Sequence, residues 1–248
     1  MAPQHTRAIV LRADPYRESS FLLHLLSERH GLIHGIAKGM RKARSSAPFV
    51  ERGMLVEAVV YLREHRDLHT CGGIQVLNFY PPIRADIATA ALRDAACEML
   101  SRTVRQVEPH PELFELVSRY LDDLCRRGPL PRVLWGFYRE LAAAMGFEMN
   151  LRSCVECGVE LGAGGGALTN AKGGVTCRHC RPVRSPVLDL PDEVAQLLRG
   201  ECVDRPGSMP AAEVRRITRM LAGYCAFHCD ITPEFKALDF LDDVWCVR

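Results

Sequence analysis

Three features of the 248-residue sequence predict an α+β multidomain fold, with an N-terminal β-barrel of the OB type followed by a helical bundle that carries an embedded four-cysteine module. The first eighty residues contain five short apolar runs bounded by turn signals. Beyond Pro81-Pro82 the apolar spacing changes from two residues to three and four. Within the helical part, two Cys-x-x-Cys pairs bracket a glycine-rich span. These boundaries predict a barrel domain over 1–80 and a helical domain over 81–248, with the cysteine module inserted at 150–182.

The strand signals come first. TRAIVL (6–11) is short and β-branched, SSFLLHLLSE (19–28) leads through His30-Gly31 into LIHGIAK (32–38), and MLVEAVVYL (54–62) joins LHTCGGIQVL (68–77) through polar REHRD. Alternation of apolar and polar residues in LIHGIAK and MLVEAVVYL marks half-buried strands. Five such strands suit a small, partly open barrel, and Gly72-Gly73 inside the last one predicts a bulge or a bend at a barrel corner.

Helical periodicity follows. Ile83, Ile87, Ala91, Ala95, Met99, Leu100 and Val104 fall on one face of a first helix. Leu113, Val117, Tyr120, Leu121 and Leu124 mark a second, opened by Pro111 at its first position. A third carries Leu134, Phe137, Leu141 and Met145 and ends at Gly146. After the cysteine module, Val214, Ile217, Leu221, Tyr224 and Cys225 mark a fourth, and KALDFLDDV a short last one. No run of about 18 uncharged apolar residues predicts a membrane span, and MAPQHTRAIVLRAD lacks a signal peptide's apolar core. Eleven cysteines without such a leader point to a reducing compartment and metal-bound thiols rather than a disulfide framework.

Cys154, Cys157, Cys177 and Cys180 have the spacing C-x2-C-x19-C-x2-C. Each Cys-x-x-Cys turn aims two sulfurs at one point, and two turns supply the four thiolates of a tetrahedral structural Zn2+ site. Gly158 and Gly173-Gly174 allow the tight knuckles. Four thiolates close the shell, so the spacing favours a structural ion over a catalytic one that keeps a position for water, and a thioredoxin-like pair would need only one motif. His179 lies between two ligands and is expected to point outward. GAGGGA (162–167) neither follows a strand nor opens a helix, which sets aside a dinucleotide-binding reading. Cys225, His228 and Cys229 share a helical face and, with Cys246, make a second, weaker candidate for a metal.

The net charge of +2 conceals an asymmetry: residues 1–53 hold nine Lys/Arg against four acids, a net +5, which leaves −3 for the remainder. Lys38, Arg41, Lys42 and Arg44 crowd the loop AKGMRKARSS (37–46). In an OB-type barrel, loop cations follow nucleic-acid phosphates and aromatics stack bases. With only Tyr16, Phe21 and Phe49 nearby in sequence, the loop predicts backbone binding that is blind to sequence and sensitive to salt. The alternative is a solvated loop. Arg215, Arg216 and Arg219 form a smaller basic face on the fourth long helix, where a plain solvated face is the favoured reading. No H-E-x-x-H, G-x-x-x-x-G-K-[ST] or G-x-S-x-G motif is present, so the chain is not expected to be an enzyme.

Several stretches together resemble the RecO family of bacterial recombination mediators. RAIVL (7–11), PYRESS (15–20), AKGMR (37–41) and Arg44-Ser45 are similar to the family's opening barrel. FYRELAAAMGF (137–147) leading to CVECG (154–158) resembles the helix before its metal module, and RITRM (216–220) its C-terminal helix. The resemblance implies a cytoplasmic, nucleoid-associated DNA-repair mediator that binds single- and double-stranded DNA and anneals complementary strands. It also implies loading of RecA onto DNA coated with single-strand-binding protein, with RecR and the C-terminal tail of that protein as partners. By the same resemblance Lys38, Arg41, Lys42 and Arg44 contact DNA, and the four cysteines hold a structural zinc. The competing reading is a zinc-containing DNA-binding regulator or adaptor; annealing without nucleotide hydrolysis separates the two.

Overall fold

The structure is a computed structural model, and it describes residues 2–40, 49–63, 65–104, 109–162, 166–181, 188–201 and 209–246. Its N-terminal strands are β1 (Gln4–Tyr16), β2 (Ser20–Ser27), β3 (Gly31–Ala37), β4 (Leu55–Tyr61) and β5 (His69–Asn78). They close into a barrel in the order β1-β2-β3-β5-β4, with β4 returning to pair with β1. Every pairing is antiparallel except β3–β5, which runs parallel over Gly35↔His69, Ile36↔Thr70 and Ala37↔Cys71. Side chains alternate across each strand, so Ala8, Val10, Leu23, Leu25, Ile33, Val56, Ala58 and Val60 point inward and form the barrel core.

The five expected strands are all present. β1 runs further than its apolar stretch because a bulge between Val10 and Arg12 re-aims the strand, which then pairs with β2 as far as Tyr16. The expected irregularity at Gly72-Gly73 is also there: the register passes from Ala58↔Ile74 to Val60↔Cys71, leaving two residues opposite Val59. The bare backbone of Gly35 lets Cys71 of β5 pack closely against β3: a Cβ there would lie 2.3 Å from Cys71 Sγ, and that side chain would have to move.

The helical stripe beginning at Ile83 divides into α1 (Pro81–Ala85) and α2 (Ile87–Thr103). Asp86 is extended between them, and its carboxylate accepts the Thr89 amide hydrogen at 2.8 Å as the cap of α2. Ile87 thereby falls on the first, solvent-facing turn and is 59% exposed, whereas Ala91, Ala95, Met99 and Leu100 are buried as the periodicity requires. Pro111 opens α3 (Pro111–Arg127), and Gly128 closes it at φ 71°. The Tyr120 hydroxyl donates to the Leu92 carbonyl at 2.8 Å, joining α3 to α2. The chain packs as two compact units, Met1–Gly128 and Pro129–Arg248, so α1–α3 belong with the barrel's unit.

The second unit contains α4 (Pro131–Ala144), β6 (Ala167–Thr169), β7 (Gly174–Thr176), β8 (Leu188–Asp189), α5 (Asp192–Leu198), α6 (Ala211–His228) and α7 (Lys236–Cys246). The strands form a small sheet in the order β7-β6-β8. Helices α4 and α6 bury their apolar stripes against each other, and a buried hydrogen bond from Trp135 Nε1 to Thr218 Oγ1 at 2.8 Å fixes their register. No helix among the described residues is long and apolar enough to cross a membrane.

Candidate metal centre and nucleic-acid interface

Two short turns build the cysteine site. Cys154 and Cys157 occupy a knuckle in which the Gly158 amide donates to the Cys154 carbonyl at 2.9 Å, with Gly158 at φ 72°, a conformation that glycine adopts without strain. Cys177 follows directly on β7, and the Cys180 amide turns back to the Cys177 carbonyl at 3.2 Å. Backbone bonds clamp the two halves together. Asn150 N–H donates to Gly173 O at 3.0 Å, Val175 N–H to Asn150 O at 2.9 Å, and Val155 N–H to Val175 O at 2.9 Å.

The result brings the four predicted sulfurs within 4.8 Å of one another. Cys157 and Cys177 Sγ stand 3.8 Å apart, and a tetrahedral Zn–S length of about 2.3 Å gives a sulfur–sulfur edge of about 3.8 Å. The four cysteines can therefore hold a metal ion, with no donor position left over for water. The electrostatics point the same way. A hydrogen bond from the Cys177 backbone, supported by those of Cys157 and Glu156, draws the Cys154 thiol down to about 6, although its burial opposes this. Cys180, sharing protons with Cys157 and Cys177, is pushed up to about 12. Thiols this close cannot all ionise alone; a bound cation lets them. His179 is exposed and stands outside the cluster, as expected.

Among the described residues, Cys225, His228 and Cys229 do not come together as a group of metal ligands, and the Cys246 side chain lies outside the described residues. Among the described residues the cluster of Cys154, Cys157, Cys177 and Cys180 is the only group with metal-ligand proximity. Cys225 is buried on the core side of α6, where its S–H donates to the Tyr138 carbonyl at 3.5 Å and burial pushes its thiol up. It is a packing residue.

Of the basic loop, Lys38 is exposed in the turn after β3, and Arg41, Lys42 and Arg44 lie outside the described residues. Much of the remaining positive charge near the barrel is already matched: Arg7 with Glu28, Arg12 with Asp14, Arg52 with Asp94, and Arg84 with Glu51. Lys38 makes no ion pair among the described residues. It borders a cavity of about 550 Å³ at the β3–β5 edge that Arg63, His65, Arg66 and His69 also line. None of the four was anticipated: Arg63, His65 and Arg66 belong to REHRD, which reads in sequence as an ordinary polar hairpin loop, and His69 opens the strand after it; two arginines flanking a histidine were the available signal. On α6, Arg219 donates to Asp239 and Asp242 of α7 at 2.7 and 2.8 Å, and Arg216 lies 3.9 Å from Glu213. Two of the three arginines of that face are thus paired with carboxylates.

Comparison with known proteins accounts for both units. The family model described as "Recombination protein O N terminal" matches residues 1–80, and "Recombination protein O C terminal" matches residues 84–236. A DNA repair protein RecO from Geobacter metallireducens is 32% identical over 247 residues, covering 98% of this chain and 99% of the relative. This chain belongs to the RecO family. A RecO from Anaeromyxobacter sp. (strain K) is 30% identical over 244 residues (95% of this chain, 94% of the relative), and one from Prosthecochloris aestuarii is 28% identical over 247 (93% and 94%). Membership in the RecO family makes this a DNA repair and recombination protein, and it agrees with a closed five-stranded barrel followed by helices and a four-cysteine cluster.

Proposed function

We propose that this chain is a non-catalytic recombination mediator. It binds single- and double-stranded DNA, anneals complementary strands and helps load RecA onto DNA coated with single-strand-binding protein. RecR and the tail of single-strand-binding protein are its partners, in the bacterial cytoplasm at the nucleoid. The observation that carries the reading is full-length membership in the RecO family, with Lys38, Arg63 and Arg66 outnumbering the one carboxylate, Asp67, that lines the same cavity of the barrel.

In this reading the barrel at 1–80, packed in one unit with α1–α3, takes the DNA, and the helical region over 81–248 carries the cysteine module. Lys38, Arg41, Lys42 and Arg44 neutralise phosphates, so two strands approach each other without their mutual repulsion. Such contacts carry no base information, which suits an annealing factor that must accept any sequence. Cys154, Cys157, Cys177 and Cys180 hold one zinc ion, which when bound ties the two knuckles together and contributes its binding free energy to folding.

The test is annealing of complementary oligonucleotides coated with single-strand-binding protein, followed by fluorescence. The expected result is acceleration that is independent of added nucleoside triphosphate and falls with salt. A strict requirement for ATP, or binding without annealing, would overturn the reading in favour of an enzyme or a DNA-binding regulator.

A further inference from the structure

The cavity beside Lys38 adjoins an exposed aromatic ring that the DNA-binding reading above does not use. Tyr61, the last residue of β4, is paired across the ladder with Thr70, which lines the cavity. In β4 the inward positions are Val56, Ala58 and Val60; Tyr61 faces out and is 37% exposed. Its ring lies against the bare backbone of Gly72, where a Cβ would stand 2.9 Å from Tyr61 Cε2. The glycine therefore seats the ring against the sheet while leaving it open to solvent.

Around it the cations are placed for phosphate. Lys38 follows β3, and Arg63 and Arg66 lie in the β4–β5 connection; all three line the cavity, where the one carboxylate is that of Asp67. Neither arginine makes an ion pair among the described residues. His65 turns that connection at φ 59°. His69 Nδ1 accepts the Arg63 amide hydrogen at 3.1 Å, so the neutral ring carries its proton on Nε2 and keeps a donor for an anionic oxygen. The pattern of an aromatic plate with flexible cations along one edge matches single-stranded nucleic acid, in which bases stack and phosphates follow a basic track. An acidic peptide would use the cations but leave the plate idle.

We infer that Tyr61, seated on Gly72, stacks an unpaired base while Arg63, Arg66 and Lys38 hold the flanking phosphates, making the β3–β5–β4 outer face a single-strand site. This rests on the reading that DNA lies on the barrel, and it adds a discrimination which loop cations alone lack. A base already paired in a duplex is not available to the ring, so Tyr61 favours single strands.

The experiment measures anisotropy of a labelled oligothymidylate, its abasic counterpart and a duplex against the full-length protein. The variants are Tyr61→Ala, Tyr61→Phe, Arg63→Ala/Arg66→Ala and Arg41→Ala/Lys42→Ala, each checked for an unchanged melting curve. Tyr61→Ala should weaken oligothymidylate binding by about fivefold or more, spare the duplex and abolish the penalty for the abasic strand. Tyr61→Phe should bind as the parent does. Arg63→Ala/Arg66→Ala should flatten the logarithmic salt slope on single strands by about 1.4, two contacts at about 0.7 each. If Tyr61→Ala and the arginine pair both leave affinity and slope unchanged while Arg41→Ala/Lys42→Ala weakens binding, the inference fails and the loop reading stands. If no variant changes DNA binding, both fail. Capture of an acidic peptide by Arg63 and Arg66, with DNA binding untouched, would also overturn it.

Discussion

Replacing Gly174 by alanine should weaken metal binding although no ligand changes. Gly174 opens β7, and a Cβ there would fall 2.2 Å from the Asn150 carbonyl oxygen and 2.9 Å from Val155 Cγ1. The oxygen belongs to backbone, so relief requires moving the strand that leads into Cys154 away from the strand that leads into Cys177. That movement opens the Val175 N–H to Asn150 O bond and loosens the Val155 and Asn150 amide bonds beside it. One buried backbone pair lost with its groups left unsatisfied costs about 1–3 kcal/mol, and a weakened neighbour adds about 1 kcal/mol, for a total of about 2–4 kcal/mol. If the whole displacement must be reversed to gather the sulfurs, that energy is subtracted from zinc affinity, a loss of between about 30-fold and several hundred-fold. Competition against a chromophoric chelator reads the affinity, and thermal unfolding with and without chelator reads the stability. Zinc affinity within threefold of the parent, with an unchanged melting curve, would refute the idea that the two knuckles are clamped through Asn150.

Other substitutions probe the rest of the molecule. Cys177→Ser should release the metal and destabilise the module, which metal analysis of protein purified without chelator would show. Thr218→Val keeps the shape of the α4–α6 contact but strips the buried Trp135 indole of its acceptor, and should cost about 1–3 kcal/mol in denaturant unfolding. His34, held down to about 4 chiefly by burial and then by the neighbouring His24 ring 4.1 Å away, stays neutral in the barrel. An unfolded histidine titrates near 6.5, so the unfolded chain binds more protons between about 6.5 and 4, and stability should fall as pH drops through that window. His34→Gln should flatten this acid limb in unfolding curves measured from pH 7 to 4; an unaltered limb would show that His34 is not its source.

Much of the fold was legible because its signals are local. The alternation in LIHGIAK and MLVEAVVYL reports which side of a strand meets the core, and a closed barrel burying one face of each strand honours that pattern directly. The four sulfurs were legible for the same reason: a Cys-x-x-Cys turn fixes its own geometry. What escaped depends on contacts remote in sequence. A single helical stripe cannot show that Asp86 will leave the helix to cap the next one, so Ile87 appears apolar and buried until that cap forms. Strands of three residues such as β6 and β7 carry too few positions for a period and exist because the knuckles align them. Tyr61 looks like the end of a strand, and only the pairing with Thr70 and the missing side chain at Gly72 turn it into an accessible plate.

The parallel pairing of β3 with β5 has a dynamic consequence. The barrel consists of two pieces that are local in sequence, the β1–β2–β3 meander and the β4–β5 hairpin, and they meet along two seams. One seam joins six residue pairs, from Gln4↔Val60 to Ile9↔Leu55, and the other joins three. Breathing of the native barrel is therefore directed to the shorter seam, since opening it sacrifices fewer ladder bonds while the longer one acts as the hinge. The shorter seam is also the one that Lys38, Arg63 and His69 border, so fewer ladder pairs hold the barrel shut beside its own cationic rim than along the β1–β4 seam.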